Sequence, residues 1–155
     1  MALFLATHIN KLDRKGRLSV PALFRNHLYW QENQQFVAFR SHRYQAIECC
    51  TMARLQHLSE SVDQLALFSE TQDDLAAAIF ADAHQITIDG DGRITLPQAF
   101  VEHAALDENA AFVGCGATFQ IWQPALFEIH QTAARARIKE RQSFLHLKAK
   151  VGESA

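Results

Sequence analysis

No cysteine pair in this sequence has the spacing of a zinc or redox motif. Cys49 and Cys50 are adjacent and Cys115 stands alone, which excludes a Cys-x-x-Cys site and predicts three reduced thiols in or near strands. No apolar run approaches the roughly 18 residues that a membrane helix needs. Residues 1–6 are apolar, but the stretch is short for a signal peptide and lacks a basic start. Both absences lead to the expectation of a cytosolic protein without a membrane partner. Glycine and proline number only 6 and 3, so no Pro/Gly-rich linker divides the chain. A bulk excess of one charge is missing too: the formal net charge is −2, which by itself argues for no nucleic acid. Catalytic signatures are absent. The eight histidines include no His-Glu-x-x-His, and no Gly-x-Ser-x-Gly elbow occurs. Gly90-Asp91-Gly92 is too short for a phosphate loop and leads into a strand-like run. No enzyme, metal or cofactor is expected.

What the chain does contain is a repeat. Residues 8–24 read His-Ile-Asn-Lys-Leu-Asp-Arg-Lys-Gly-Arg-Leu-Ser-Val-Pro-Ala-Leu-Phe, and residues 84–100 read His-Gln-Ile-Thr-Ile-Asp-Gly-Asp-Gly-Arg-Ile-Thr-Leu-Pro-Gln-Ala-Phe. The two align without a gap at an offset of 76 residues. Duplication of a unit sets the fold before any finer reading. Each copy, about 45 residues, is too small to bury an adequate core alone, so the copies should pack on each other or on other subunits.

The local pattern within a copy reads as β-turn-β, short helix, β-hairpin. In the second, apolar residues alternate from His84 to Asp89 with the period of a half-buried strand. A turn follows at Asp-x-x-Gly-Arg, where Asp13 and Asp89 can bond back to turn amides and Gly16 and Gly92 can take positive φ. Short strands come next at 17–20 and 93–96. Pro21 and Pro97 suit the start of helices over 21–28 and 97–105. Hairpin strands are expected at 36–39 and 44–47, and at 111–113 and 118–122. Met52, Leu55, Leu58, Val62 and Leu65 form the stripe of an amphipathic connector helix. Thr71 or a neighbour caps a second helix running through Phe80. Pro124 opens a last helix with Phe127, Gln131, Ala134, Ile138 and Leu145 on one face. The divisions are a first repeat at 3–50, a helical connector at 51–82, a second repeat at 83–123 and a C-terminal helix at 124–150. The fold class is α+β.

Charge separates the two copies. Residues 1–50 carry a balance of +4, 51–82 and 83–134 carry −5 each, and 135–155 carry +4. The first repeat holds Lys11, Arg14, Lys15, Arg17 and Arg25 against Asp13; the second holds Arg93 alone against Asp89 and Asp91. Arginines crowded on a projecting turn can bond phosphates or a guanine edge, which makes Lys11, Arg14, Lys15 and Arg17, with Arg93, candidate DNA-binding residues. The opposing reading is an Asp13–Arg17 pair that merely pins the turn, and the matching Asp89–Arg93 pair in acidic surroundings favours it. His8 and His84 coincide in the repeat and read as strand histidines held by local hydrogen bonds; the rival is a metal enzyme that would use them with Cys115.

Asp13, Lys15, Gly16, Arg17, Ser19, Pro21, Phe24 and Arg25, followed by Asp89, Gly92 and Arg93 in the latter half, resemble the doubled signature of the MraZ family. The resemblance spans nearly the whole chain. It implies two AbrB-like repeats interlocked as a swapped-hairpin barrel, assembled as a homo-oligomeric ring. It implies a nucleoid-associated transcriptional regulator, a repressor acting on double-stranded DNA at short G-rich direct repeats upstream of the division and cell-wall gene cluster. The motif arginines that contact DNA in the family correspond to Arg17 and Arg93. Acidic Asp91 departs from the pattern set by Lys15. The alternative class is an AbrB-like protein-interaction module or antitoxin.

Overall fold

The computed structural model describes residues 3–65 and 68–153, with side chains omitted at 30–32 and 143–153. The chain forms two compact units, Met1–Gln123 and Pro124–Ala155.

Among the described residues the first unit contains eight strands, four α-helices and one π-helical turn. In chain order the strands and α-helices are β1 (Thr7–Lys11), β2 (Arg17–Ser19), α1 (Ala22–Glu32), β3 (Gln35–Arg40), β4 (Ala46–Cys50), α2 (Met52–Asp63), α3 (Glu70–Leu75), β5 (His84–Thr87), β6 (Arg93–Thr95), α4 (Gln98–His103), β7 (Asn109–Gly114) and β8 (Phe119–Trp122). Six strands form one antiparallel sheet in the order β1-β7-β8-β4-β3-β5, and β2 pairs with β6 in a separate ribbon. The repeats therefore exchange strands. β1 lies on the hairpin of the second repeat, with Thr7 opposite Val113, and β5 lies on the hairpin of the first, with Ala38 opposite His84. Neither copy has a complete sheet of its own, which answers the core deficit expected of each.

The expected barrel does not close among the described residues. The sheet order ends at β1 and β5. β1 meets the ribbon through a side chain, Asn10 Nδ2 donating to Ser19 O at 2.7 Å, and through a single bridge between Leu12 and Leu18. Those contacts cover the edge without continuing the main-chain ladder.

The core lies between the sheet, the ribbon and helices α1 and α4. Phe4, Phe24, Phe36, Phe112 and Phe119 are buried and pack edge-on or tilted at centroid distances of 4.8–6.2 Å. Burying a phenylalanine removes roughly 1.5–3 kcal/mol of unfavourable hydration each. Leu18 and Ile94, the central residues of the ribbon, are buried in the same cluster.

Several boundaries differ from those expected. Pro21 and Pro97 precede their helices in an extended conformation (ψ 141° and 143°), so the helices begin at Ala22 and Gln98. α1 runs past residue 28 to Glu32 and stops where Asn33 takes φ 51° and donates its N–H to Leu28 O; asparagine tolerates that left-handed conformation well. β4 starts at Ala46 because the amides of Arg43 and Tyr44 donate to Ser41 Oγ in a turn. Ser69, a neighbour of Thr71, caps α3, accepting from Gln72 N at 3.1 Å. That helix continues as a π-helical turn over Ala76–Phe80. Leu65 falls beyond the end of α2.

The second unit is one helix, α5 (Pro124–Glu153). Arg135, Arg137, Lys139 and Arg141 are exposed along it, as is Ile138, and the side chain of Leu145 lies outside the described residues. No helix among the described residues is long and apolar enough to cross a membrane.

Candidate nucleic-acid interface

Both Asp-x-x-Gly-Arg segments fold into the same turn. In the first, Asp13 N donates to Arg17 O at 3.0 Å and Gly16 N to Asp13 O at 3.1 Å. The Asp13 carboxylate accepts the amides of Lys15 and Arg17, both at 2.9 Å. In the second, Asp89 N donates to Arg93 O at 2.8 Å, Gly92 N to Asp89 O at 3.0 Å, and the carboxylate accepts the amides of Asp91 and Arg93, both at 2.9 Å. Gly16 and Gly92 share φ +79°, a conformation that L side chains resist. The carboxylate bonds explain the aspartates: each satisfies turn donors that no strand neighbour can reach. The Arg17 amide is the largest influence holding the Asp13 carboxyl below its ordinary range, and the Arg93 amide does the same for Asp89, with partial desolvation opposing both.

The turns are locked onto each other. Leu96 N donates to Gly16 O at 2.8 Å and Val20 N to Gly92 O at 2.9 Å. Between these bonds runs the ribbon, with Arg17 opposite Thr95, Leu18 opposite Ile94 and Ser19 opposite Arg93. Residues directly opposite share a face, and the side alternates along the strand. Leu18 and Ile94 therefore take the core side. Arg17, Ser19, Arg93 and Thr95 take the other, giving one outward face with two guanidiniums on a diagonal and a hydroxyl opposite each. Arg17 acts electrostatically on Asp89 as well, so the two turns share one field.

The arginines are held differently. Arg17 Nε donates to Asp13 Oδ2 at 2.6 Å. Arg93 Nε is 4.0 Å from Asp89 Oδ2, and its Nη2 donates instead to Asp91 Oδ2 at 3.2 Å. Arg14 and Lys15 are exposed on the first turn and Lys11 is exposed at the end of β1. The structure brings Arg14, Lys15 and Arg17 together on one turn, places Lys11 just before it, and sets Arg93 on the same ribbon.

One basic residue counted with the first repeat lies at the turn of the second. Arg25 belongs to the first copy in sequence, yet α1 carries it across to the second turn, where a Cβ added at Gly92 would lie 2.9 Å from Arg25 Cζ. The signal in the sequence was the offset of 76: the residue matching Arg25 is Val101, the first place after the prolines where the copies differ in charge.

The repeated histidines pack rather than gather. His8 Nε2 lies 3.2 Å from Leu5 O with its ring edge-on to Phe24; His84 Nδ1 lies 2.8 Å from Asp82 O with its ring edge-on to Phe100. Phe24 and Phe100 are themselves a repeat pair. Among the described residues no three His, Cys, Asp or Glu side chains are grouped to hold a metal ion.

A sequence model described as "MraZ protein, putative antitoxin-like" matches residues 79–145. The chain is 46% identical over 143 residues to a protein of Gluconacetobacter diazotrophicus, covering 90% of both chains. It is 41% identical over 135 residues to one of Pelagibacter ubique, covering 87% of both, and 39% identical over 144 residues to one of Rickettsia akari, covering 93% of this chain and 96% of that one. All three relatives are named transcriptional regulator MraZ. Identity of this degree over most of the chain places it in the MraZ family.

Proposed function

We propose that this chain is a sequence-specific DNA-binding transcriptional regulator that represses from direct repeats upstream of the division and cell-wall gene cluster. The observation that carries the reading is the outward face of the ribbon, where Arg17 and Arg93 stand beside Thr95 and Ser19 and the exposed Arg14 and Lys15 extend the positive charge. A two-stranded ribbon fits a major groove. Lys11, Arg14 and Lys15 suit phosphates, which position the protein; Arg17 suits a base edge, which specifies the site. Asp13, Gly16, Asp89 and Gly92 hold the turns that present these side chains.

Residues 3–50 and 83–123 act as the two AbrB-like repeats, their exchanged strands forming the swapped-hairpin arrangement. Residues 51–82 connect them and 124–150 form the C-terminal helix. One chain offers few contacts, so useful affinity requires several. A homo-oligomeric ring meeting several DNA repeats gains roughly 10²–10⁴ in avidity without new chemistry, and direct repeats match head-to-tail subunits better than a two-fold dimer does. The place of action is the cytoplasm, at the nucleoid. Footprinting on the DNA upstream of the chain's own gene tests the reading: protection of repeated short sites, lost with Arg17→Ala, is expected. A uniform, sequence-independent footprint would sink it. A monomeric variant that binds as tightly as the wild type would end the avidity argument.

A further inference from the structure

We propose that Arg25, although carried by the first repeat, belongs to the DNA contact of the second turn, where it works beside Arg93 on a phosphate. This rests on the DNA-binding reading above and adds a residue and a division of labour to it.

The placement comes first. Pro21 is extended, the helix starts at Ala22, and Arg25 N donates to Pro21 O at 2.9 Å. Phe24 points into the core, so its neighbour is left at the rim of α1. From there the side chain lies flat across Gly92: a Cβ at that glycine would be 2.9 Å from Arg25 Cζ and 3.0 Å from Cδ. The glycine is thus needed twice, for φ +79° and to leave room for the guanidinium.

The matching corner is different. Val101, in the position of Arg25, lines a recess with Gly16, Asp13 and Arg14. The first turn carries its own cations and receives a valine from α4. The second turn has Gly90 and Asp91 where the first has Arg14 and Lys15, and it receives an arginine from α1. The exchange of strands between repeats also exchanges charge.

Hydrogen-bonding capacity points the same way. Among the described residues, the buried Nε atoms of Arg25 and Arg93 have no hydrogen-bond acceptor in reach, whereas Arg17 Nε is held by Asp13 at 2.6 Å. A buried donor without an acceptor is costly, more so on a charged group. One guanidinium belongs to the second turn and the other lies against its glycine; Arg93 is tied to a carboxylate only through Nη2, to Asp91 at 3.2 Å, and the Nε of each is left to donate. A phosphate, with several acceptor oxygens and a geometry suited to the arginine fork, is the ligand that satisfies both.

The test uses the full chain and a duplex from upstream of its own gene, titrated at several salt concentrations, with thermal midpoints for every variant. Arg25→Met, which keeps the packing stem without the charge, should weaken binding tenfold or more and flatten the log–log salt slope by about one unit. Arg25→Lys should restore the slope. Arg93→Ala alone should cost less than Arg25→Met combined with Arg93→Ala, and the double variant should match Arg17→Ala. In the wild type, DNA should further protect the half-buried Arg25 from dicarbonyl modification, a readout that does not depend on any variant folding. Undiminished modification of Arg25 on bound DNA, or Arg25→Met binding within twofold of wild type while Arg17→Ala fails to bind, would overturn the assignment. A wild-type chain that ignores the duplex overturns the DNA reading itself, and this assignment with it.

Discussion

The two turns have one backbone and two surfaces. Their main-chain bonds agree to within 0.2 Å and their glycines share one φ, yet one turn is crowned by Arg14 and Lys15 and the other by Gly90 and Asp91. Asp, Gly and the following Pro are common because they build the turn. The residues that vary point away from it. Duplication thus conserved a geometry while leaving each copy's outer surface to diverge, and the tightness of the Asp–Arg pair, 2.6 Å against 4.0 Å, diverged with it.

The largest effect should come from the arginines. Arg17→Ala should abolish promoter binding in a gel-shift titration, and Arg93→Ala should weaken it less; one bidentate base contact is worth about 1–3 kcal/mol, and an oligomer loses it in every subunit. Equal losses would erase the functional distinction between the turns. Next come the glycines. Alanine at either must adopt positive φ, a strain of roughly 1–2 kcal/mol, but the surroundings differ. At Gly16 the added carbon faces the Leu96 carbonyl at 2.9 Å, whereas at Gly92 it meets a long side chain. A main-chain oxygen cannot move aside as a guanidinium can, so Gly16→Ala should lower the thermal midpoint more than Gly92→Ala. The reverse order would show that Arg25 is fixed more firmly than the backbone.

A smaller difference should appear in acid. Asp13 and Asp89 are both held below the ordinary carboxylate range. A depressed folded-state pKa contributes stability above the unfolded value, about 3.9 for Asp, and that contribution fades as pH falls through the folded value. Thermal midpoints should be insensitive to these groups near neutrality and drop below about pH 4. Asp13→Asn should flatten the acid limb more than Asp89→Asn, because it alone removes a 2.6 Å ion pair; identical limbs would show that the amide bonds, common to both, account for the whole effect. The smallest change should follow Lys15→Ala: a modest loss of affinity across all sequences, with a salt slope reduced by about one unit. A loss confined to one DNA sequence would mark Lys15 as a reader of bases.

Much of this was readable from residue type alone. The offset of 76 residues between two Asp-x-x-Gly-Arg segments gave both turns and both glycine conformations, since few other sequences satisfy those donors at positive φ. Alternation at His84–Asp89 found the strand containing β5 for the same local reason. Partners across the sheet were not readable, because the alternation of β1 says that one side is buried and not which strand lies beside it. Helix ends were lost to capping detail: Asn33 and Ser69 act through conformations that composition does not disclose. Arg25 belongs to the first repeat by sequence, yet its side chain lies against Gly92 of the second; a tally along the chain cannot show that, because the copies interlock.

The pairing of Thr7 with Val113 has a consequence for synthesis. β1 leaves the ribosome well before its partner, which is made roughly a hundred residues later. At about 5–20 residues per second, the first strand waits some 5–20 s with its main chain unpaired. Loop closure over such a span is slow to nucleate, so the nascent chain passes through an interval in which the edge of the unfinished β3–β4 hairpin is open to neighbours. On a polysome those neighbours are identical chains, each with the same missing half.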